Sequence, residues 1–268
     1  MQRIGIIGLG LIGGSLAEAL YQRTPALTLI GVDNDEATLN EARAAGIFSE
    51  VTNKVADISP CDLIVVCVPL PTVETIFTII AESCNTSALV TDVIGLKEPV
   101  LNLAREHLKA HRFVGSHPMA GGTVAGFSER RAELFEGFPV AICPHDDATV
   151  TESIAAFWRS IGAEPLMLSP SEHDRIVAMT SHLPYLTSVI LRSVASQDAT
   201  TSDLRGKGFT RATRYADFLP EIMGSVVGHN PHVPGLLREF SERYAKLADE
   251  LEKDPNVLLE LARSIEEG

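Results

Sequence analysis

Positive charge is scarce in this chain of 268 residues, which carries 22 Lys and Arg against 35 Asp and Glu. The formal net charge of −13 argues against nucleic acid as a partner, because phosphate contacts need clustered basic side chains. It argues equally against binding to an anionic membrane surface. The sequence also has no apolar run near the roughly 20 residues of a membrane span. Neither nucleic acid nor a membrane is therefore expected as a partner.

Cysteine is scarce as well. The four cysteines show no CxxC pairing and no histidines at metal-ligand spacing, so we interpret them as reduced core thiols and expect no metal site. Reduced thiols, together with an N-terminus that lacks a signal-peptide pattern, predict a cytoplasmic protein. Hydrophobic residues make up 45% of the chain, which is enough for a sizeable core.

A glycine-rich segment, Gly-Leu-Gly-Leu-Ile-Gly, separates an apolar segment at 3–7 from a small-residue segment at 14–20. A strand, a G-x-G-x-x-G turn and a helix in this order are typical of dinucleotide binding. Gly8 permits the tight turn, Gly10 lets the backbone approach a pyrophosphate, and Gly13 lets the helix pack against the strand. A purely structural turn is the alternative. The predicted cofactor-binding residues of this segment are Gly8, Gly10, Leu11, Ile12 and Gly13.

Asp33 ends the second predicted strand, about 20 residues after the glycines. A carboxylate at this point accepts hydrogen bonds from the adenine ribose hydroxyls and repels a 2′-phosphate. NAD rather than NADP is therefore the predicted cofactor. The alternative is an ordinary strand-end aspartate that caps the next helix.

Apolar and amphipathic segments alternate through the first 168 residues. This alternation predicts an α/β fold with an N-terminal Rossmann-type, mostly parallel sheet. Strand signals then disappear, which predicts a second, all-helical C-terminal domain. The expected division is a dinucleotide-binding domain at 1–168 and a helical substrate and dimerisation domain at 169–268. The strands are predicted at 3–7, 27–32, 62–69, 88–92, 113–115, 138–142 and 165–168.

His117 follows a predicted strand and precedes Pro118 and several small residues. We expect it on a rigid turn with an open approach, a suitable position for proton transfer. Ligands of open α/β sheets bind beyond the carboxyl ends of the strands, where Pro69, Asp92 and His117 are all expected. The pattern favours His117 as the catalytic base beside a nicotinamide, with Pro69 in the cofactor site. The alternative is a turn histidine with one backbone hydrogen bond.

The second half predicts a long helix at 171–196, which Pro184 should kink or interrupt. Residues 197–208 are predicted to form a polar loop, and further helices are expected beyond it. So few helices make a small core, so we expect their apolar face to be buried in a homodimer. Arg211 and Arg214, after a Gly-rich turn, suggest an anion site, with surface salt bridges as the alternative.

The chain resembles the prephenate/arogenate dehydrogenases of tyrosine biosynthesis over essentially its whole length. The glycine segment is shared with many dehydrogenases, whereas His-Pro-Met-Ala-Gly and Ser-His-Leu-Pro together are far more specific. The matching segments are residues 8–15, 91–93, 115–121, 172–174, 181–184, 208–209 and 213–214.

This resemblance implies an NAD(P)-dependent oxidative decarboxylation of a cyclohexadienyl substrate. It implies that His117 takes the hydroxyl proton as hydride leaves, and that Arg214 holds the substrate carboxylate. His182 matches a second substrate-contacting histidine. His173 and Asp174 match a pair assigned to positioning rather than chemistry.

The sequence departs from the family pattern at two informative positions. Gly95 stands where a serine is expected to hydrogen-bond the catalytic histidine, so Ser116, Thr91 or a water is expected to orient His117 instead. Thr123 stands where many members carry an acid that could attract the ammonium of arogenate. Thr123 is therefore counted as a substrate-binding residue, and prephenate is the predicted substrate.

Three alternatives remain open. The chain could act on arogenate or on another aminated ring substrate. It could be a hydroxy-acid dehydrogenase, although such enzymes usually use a lysine and none lies between Pro170 and Gln197. It could also be a non-catalytic NAD-binding regulatory protein, a hypothesis that Gly95 alone favours.

Overall fold

The computed structural model describes residues 1–122, 124–197, 199–218, 220–259 and 263, and its first half is built around one sheet of eight strands. Six strands run parallel, and the last two run in the opposite direction. The strands are β1 (Arg3–Ile7), β2 (Thr28–Val32), β3 (Glu50–Thr52), β4 (Leu63–Val66), β5 (Leu89–Asp92), β6 (Arg112–Pro118), β7 (Pro139–Cys143) and β8 (Glu164–Met167). Their order across the sheet is β3-β2-β1-β4-β5-β6-β7-β8.

Helices cover both faces of the sheet, and the described residues of the second half form helices joined by turns, without a strand. The predicted fold class is thereby confirmed. The helices are α1 (Leu11–Arg23), α2 (Glu36–Ala45), α3 (Val73–Ser83), α4 (Glu98–His107), α5 (Ala148–Ser160), α6 (Pro170–Val177), α7 (Leu183–Ala195), α8 (Lys207–Ala212), α9 (Pro220–Val227) and α10 (Val233–Leu251).

The core lies in two layers, one on each side of the sheet. In β4, Leu63 and Val65 join the layer under α1 and α5, whereas Ile64 and Val66 join the layer under α3 and α4. Because both faces are covered, every position of β4 is apolar and buried. The second layer also includes buried residues of α9 and α10, which fasten the helical half to the sheet.

His117 lies within β6 and not on a turn, so the expected turn is wrong. β6 pairs with β5 only over its first three residues and then continues beyond the end of β5. There it pairs with antiparallel β7, with His117 opposite Ala141. Pairing with β7 keeps this segment extended. The sequence around Pro118 gives no sign of that partner strand.

Two further differences separate the structure from the predicted elements. β3 was not predicted, because three residues are too short for a periodic pattern. Within the predicted polar loop at 197–208, residues 199–204 form a 3₁₀ turn and α8 already begins at Lys207. The expected interruption of the long helix near Pro184 is confirmed. A π-helical turn, Ala178–His182, lies just before Pro184, whose ring and missing N–H disrupt α-helical hydrogen bonding.

None of the helices formed by the described residues is both long and apolar enough to cross a membrane.

Candidate active site

The glycine segment leaves a cradle at the start of α1. Gly8 has a φ of +92°, and a Cβ on Gly13 would lie 1.9 Å from the carbonyl oxygen of Gly8, so neither position accommodates a side chain. A Cβ on Gly10 would meet no heavy atom within 4 Å, which leaves open space above the backbone. No described side chain caps α1 at Leu11, so the N–H groups of its first turn are left for a ligand. This donor set fits a pyrophosphate.

Asp33 lies beside this cradle at the end of β2. Its carboxylate accepts hydrogen bonds from the backbone N–H of Leu9 at 2.7 Å and of Asp35 at 3.0 Å. The cap of α2 is Asp35, which accepts from the N–H of Thr38, so the interpretation of Asp33 as that cap is wrong. Asp33 instead joins the second strand to the glycine segment, where a ribose would lie.

His117 is oriented by a histidine from the helical half. Its Nδ1 lies 2.9 Å from Nε2 of His173, and the two rings meet edge to face at 72°. Nδ1 of His173 is in turn 2.7 Å from Oδ1 of Asp174. His173 therefore contacts His117 directly, whereas Asp174 contacts His173, and the positioning role of the pair stays a prediction.

Ser116 and Thr91 do not orient His117, contrary to the sequence-based expectation. The Thr91 hydroxyl donates to the carbonyl oxygen of Val114 at 2.7 Å. The Ser116 hydroxyl donates to the carbonyl oxygen of Asp92 and accepts from the indole N–H of Trp158. Both hydroxyls are buried on the side of the sheet away from the imidazole and hold the strands together.

A buried ion pair fixes the peptide that precedes His117. Nζ of Lys97 lies 2.5 Å from Oδ2 of Asp92, and neither side chain is exposed. Asp92 accepts the N–H of Ser116 at 3.0 Å, and Lys97 donates to the carbonyl oxygen of Ser116 at 2.7 Å. Both backbone polar groups of Ser116 are therefore hydrogen-bonded, which fixes the direction in which the side chain of His117 points.

Asp174 fastens the helical half to the sheet as well as holding His173. Its carboxylate is fully buried and accepts the backbone N–H groups of Lys97 at 2.8 Å and Glu98 at 2.9 Å. These N–H groups lie at the N-terminus of α4, where a negative charge is favourable. One aspartate thus links α6, α4 and the histidine pair.

His182 lies in the π-helical turn and is buried. Nδ2 of Asn230 donates to Nδ1 of His182 at 3.2 Å and to the carbonyl oxygen of Asp174 at 2.8 Å. Because Nδ1 accepts, the ring proton of neutral His182 lies on Nε2, a donor suited to a substrate oxygen. π-helical turns occur frequently at functional sites.

Burial keeps the imidazoles of His117 and His182 neutral at neutral pH. Burial lowers the pKa of His117 well below its ordinary value, and His173, Lys97 and His182 lower it further. Burial also lowers the pKa of His182 to about 4, against the opposing effect of Asp174. A neutral imidazole is the form that accepts a proton.

The remaining predicted residues are not joined to this cluster. Arg214 is exposed beside Tyr215, with Cζ 5.5 Å from the ring centroid, and makes no ion pair with another described residue. Its segment packs against α7. Pro69 is exposed in the turn after β4, which adjoins the glycine segment at Val68. Thr123 lies outside the described residues.

Sequence reasoning missed Lys97, Asn230 and Arg131. Lys97 lies two residues after Gly95, where the sequence departs from the family pattern. A lysine in an otherwise apolar, buried stretch could have marked it as a functional residue. Asn230 gave no signal, since it acts through two residues distant in sequence. Arg131 and Glu129 line a cavity of about 200 Å³ together with Leu11 at the start of α1, and this arrangement became visible only in three dimensions.

Comparison with known proteins identifies the family. Two family models match the chain. The model described as "Prephenate dehydrogenase, nucleotide-binding domain" matches residues 16–167, and the one described as "Prephenate dehydrogenase, dimerization domain" matches residues 169–264. A cyclohexadienyl dehydrogenase of Zymomonas mobilis is 32% identical over 97% of this chain and 92% of its own length. Two crystal structures are each 25% identical to the chain. One, a prephenate dehydrogenase from A. aeolicus in complex with hydroxyphenyl propionate and NAD+, has a TM-score of 0.91 and covers 99% of this chain and 96% of its own. The other, Synechocystis arogenate dehydrogenase, has a TM-score of 0.79 and covers 99% of this chain and 98% of its own. The chain therefore belongs to the prephenate dehydrogenase family.

Proposed function

We propose that this protein catalyses the NAD-dependent oxidative decarboxylation of prephenate to 4-hydroxyphenylpyruvate in tyrosine biosynthesis. The observation that carries the proposal is a neutral, firmly oriented His117 on the sheet edge that also bears the glycine cradle. The ring carbon that bears the hydroxyl loses hydride, the ring loses its carboxylate as carbon dioxide, and the ring becomes aromatic. Bound NAD+ supplies the hydride acceptor.

His117 is the proposed catalytic base. It accepts the hydroxyl proton as hydride leaves and can return it to the oxygen once carbon dioxide has departed, so the imidazole is neutral again after each turnover. The low pKa of His117 supports this role, because the base is ready at neutral pH without first losing a proton.

The direct test measures NADH at 340 nm with prephenate as substrate. His117→Asn is expected to abolish turnover and leave the dissociation constant for NAD nearly unchanged. His145→Asn is the matched control, because the His145 imidazole accepts the local backbone N–H of Asp147. A His117→Asn variant that stays active would contradict the assignment of the base. Wild-type enzyme that binds NAD without turning over either prephenate or arogenate would favour the non-catalytic regulatory alternative.

NAD is the proposed cofactor in preference to NADP. The Asp33 carboxylate beside the cradle supports this choice, since it accepts ribose hydroxyls and repels a 2′-phosphate. The wild type should have a lower KM for NAD than for NADP, and Asp33→Asn should reduce the difference between these two KM values. The amide oxygen can still accept the N–H of Leu9, so the loop should keep its shape. A clear preference of the wild type for NADP would refute the choice.

His182 and Arg214 are the proposed substrate-binding residues. The Nε2–H of His182 and the guanidinium of Arg214 are suitable donors to carboxylates, and Arg214 is not occupied by an ion pair with another described residue. Arg214→Ala should raise the KM for prephenate at least about tenfold, the scale of one lost charge-assisted bond. Arg211→Ala, three residues away, should change KM less. Equal effects of the two substitutions would argue for general surface charge instead.

Prephenate is the proposed substrate because Thr123 carries no charge to attract an ammonium group. Arogenate remains the second candidate, and the similarity to an arogenate dehydrogenase supports testing it side by side. Thr123→Glu should raise kcat/KM for arogenate relative to prephenate. A large preference of the wild type for arogenate would overturn the assignment.

A homodimer formed through the C-terminal helices is also part of the proposal. Ile190, Leu191 and Val194 on α7 are exposed, with Val194 60% exposed, and the matching family description is a dimerization domain. Light scattering should give twice the chain mass, and Val194→Glu should shift it towards the monomer. Tyr21→Glu on α1 is a control with similar exposure and should not. The four free thiols support a reducing, cytoplasmic location for this enzyme.

A further inference from the structure

Three side chains form a continuous hydrogen-bonded chain that ends at the proposed base. Oδ1 of Asp174 is 2.7 Å from Nδ1 of His173, and Nε2 of His173 is 2.9 Å from Nδ1 of His117. Asp174 and His173 are 0% and 1% exposed, so water does not compete for these bonds. Both ring nitrogens of His173, and Nδ1 of His117, each face one partner along this chain.

The protons on this chain can be assigned. Hydrogen bonds to the carboxylate outweigh the effect of burial and lower the pKa of Asp174, so this group is ionised and can only accept. Nδ1 of His173, which faces this acceptor, therefore carries a ring proton, and the assignment leaves a lone pair on its Nε2. That lone pair needs a donor, which Nδ1–H of His117 supplies. The remaining nitrogen of His117, Nε2, is left as the acceptor.

We propose that Asp174 and His173 are positioning residues that hold His117 in the tautomer protonated on Nδ1, so that Nε2 is the atom that accepts the substrate proton. This inference deepens the proposed function and rests on it. The role does not require a hydroxyl at position 95. The device is shared between the two halves of the chain, since α6 supplies the acceptors and β6 supplies the base.

The surroundings of Nε2 agree with this assignment. None of the described residues hydrogen-bonds to Nε2 of His117, and this nitrogen is not among the buried polar atoms that lack a partner. It therefore lies on an accessible side of the ring. A Cβ added at Gly95 would be 3.7 Å from Nε2, so the missing side chain leaves room at this atom. A substrate hydroxyl can approach there.

The first test reads the tautomer without measuring activity. Two-bond ¹⁵N–¹H correlation spectra of ¹⁵N-histidine-labelled protein distinguish a protonated from an unprotonated ring nitrogen. The His117 signals are identified by their absence in His117→Gln. The expected pattern has the proton on Nδ1 and none on Nε2. A proton on Nε2 would overturn the proposal, whichever substrate the enzyme uses.

The second test uses two substitutions of His173 that retain different halves of its ring. The amide nitrogen of His173→Asn occupies the place of Nδ1 and can still donate to Asp174, but the side chain is too short to reach His117. The amide of His173→Gln occupies the place of Nε2, where its oxygen can accept from His117. We expect His173→Asn to lower kcat at least about tenfold with little change in KM, and His173→Gln to recover part of that loss.

A purely structural role makes a different prediction for the pair. His173→Asn keeps the bond to Asp174, so its Tm should stay near the wild-type value while its kcat falls. Unchanged kcat in His173→Asn, or equal losses in both folded variants, would overturn the proposal. If wild type turns over neither prephenate nor arogenate, the proposed function fails while the tautomer experiment still decides this inference.

Discussion

Substitutions of Asp174 should lower the stability of the protein in proportion to the number of hydrogen bonds that they remove. Its carboxylate accepts three donors: N–H of Lys97 and Nδ1–H of His173 on Oδ1, and N–H of Glu98 on Oδ2. In Asp174→Asn the amide oxygen can take the place of Oδ1, so only the bond from Glu98 is lost. In Asp174→Ala all three buried or half-buried donors lose their partner.

The expected magnitudes follow from these counts. A donor left without its charged partner costs about 1.5–3 kcal/mol, so Asp174→Asn should cost about 2 kcal/mol and Asp174→Ala about 5 kcal/mol. For a chain of this length, each kcal/mol lowers Tm by about 2–4 °C, which predicts losses of about 5 °C and 15 °C. The low pKa of Asp174 means that its stabilisation is complete above the unfolded value of 3.8 and is lost as pH falls below it. Measurements at pH 7 therefore capture the whole contribution.

The assay is thermal and urea unfolding of both variants at pH 7, beside Asp147→Ala. Asp147 caps α5 in the same chemical way but is exposed, so its loss should be much smaller. If Asp174→Ala loses no more stability than Asp174→Asn, or no more than Asp147→Ala, the three buried bonds do not fasten α6 to α4 as argued.

Three further perturbations test other parts of the structure. Gly13→Ala would place a Cβ 1.9 Å from the carbonyl oxygen of Gly8, so it should lower Tm and weaken NAD binding at least about tenfold; unchanged NAD titration would contradict the close packing. Because the pKa of His182 falls from 6.5 unfolded to about 4 folded, the unfolded state binds the extra proton, and the free energy of unfolding should fall as pH drops from 6.5 to about 4. His182→Gln should flatten that slope in urea titrations, and an unchanged slope would assign it to other groups. Lys97→Met leaves the buried Asp92 carboxylate unpaired and should cost about 3–5 kcal/mol, part of which Asp92→Asn in the same chain should restore; a stable single variant would mean that the pair is dispensable.

Local patterns were sufficient wherever the partners are close in sequence or repeat with a regular period. The glycine segment takes its conformation from its own backbone, with φ of +92° at Gly8, and a strand, turn and helix follow one another directly. The apolar run of β4 reads as a strand buried on both faces, as the structure has it. Short β3 has too few residues to carry such a signal.

Local patterns failed where a distant segment supplies the partner. Pro118 after His117 suggested a turn, yet β7 keeps this segment of β6 extended. The expected orienting groups, Ser116 and Thr91, were neighbours in sequence and strand. The observed partner, His173, lies 56 residues away in a different half of the chain. The predicted domain division at residues 168 and 169, and the roles of Arg214 and Thr123, stay predictions.

The sequence by itself determined the α/β alternation, the cofactor cradle and the identity of the histidine that serves as the candidate base. These features depend on residue types and on hydrophobic periodicity within short segments, so they can be predicted locally. Only the tertiary structure decided how that histidine is held. Asp174 meets the start of α4 across 77 residues, and the resulting contacts assign the ring proton. Gly95 looked like a missing orienting group in the sequence. In three dimensions the orienting bond enters from the opposite nitrogen, and the glycine leaves space at Nε2.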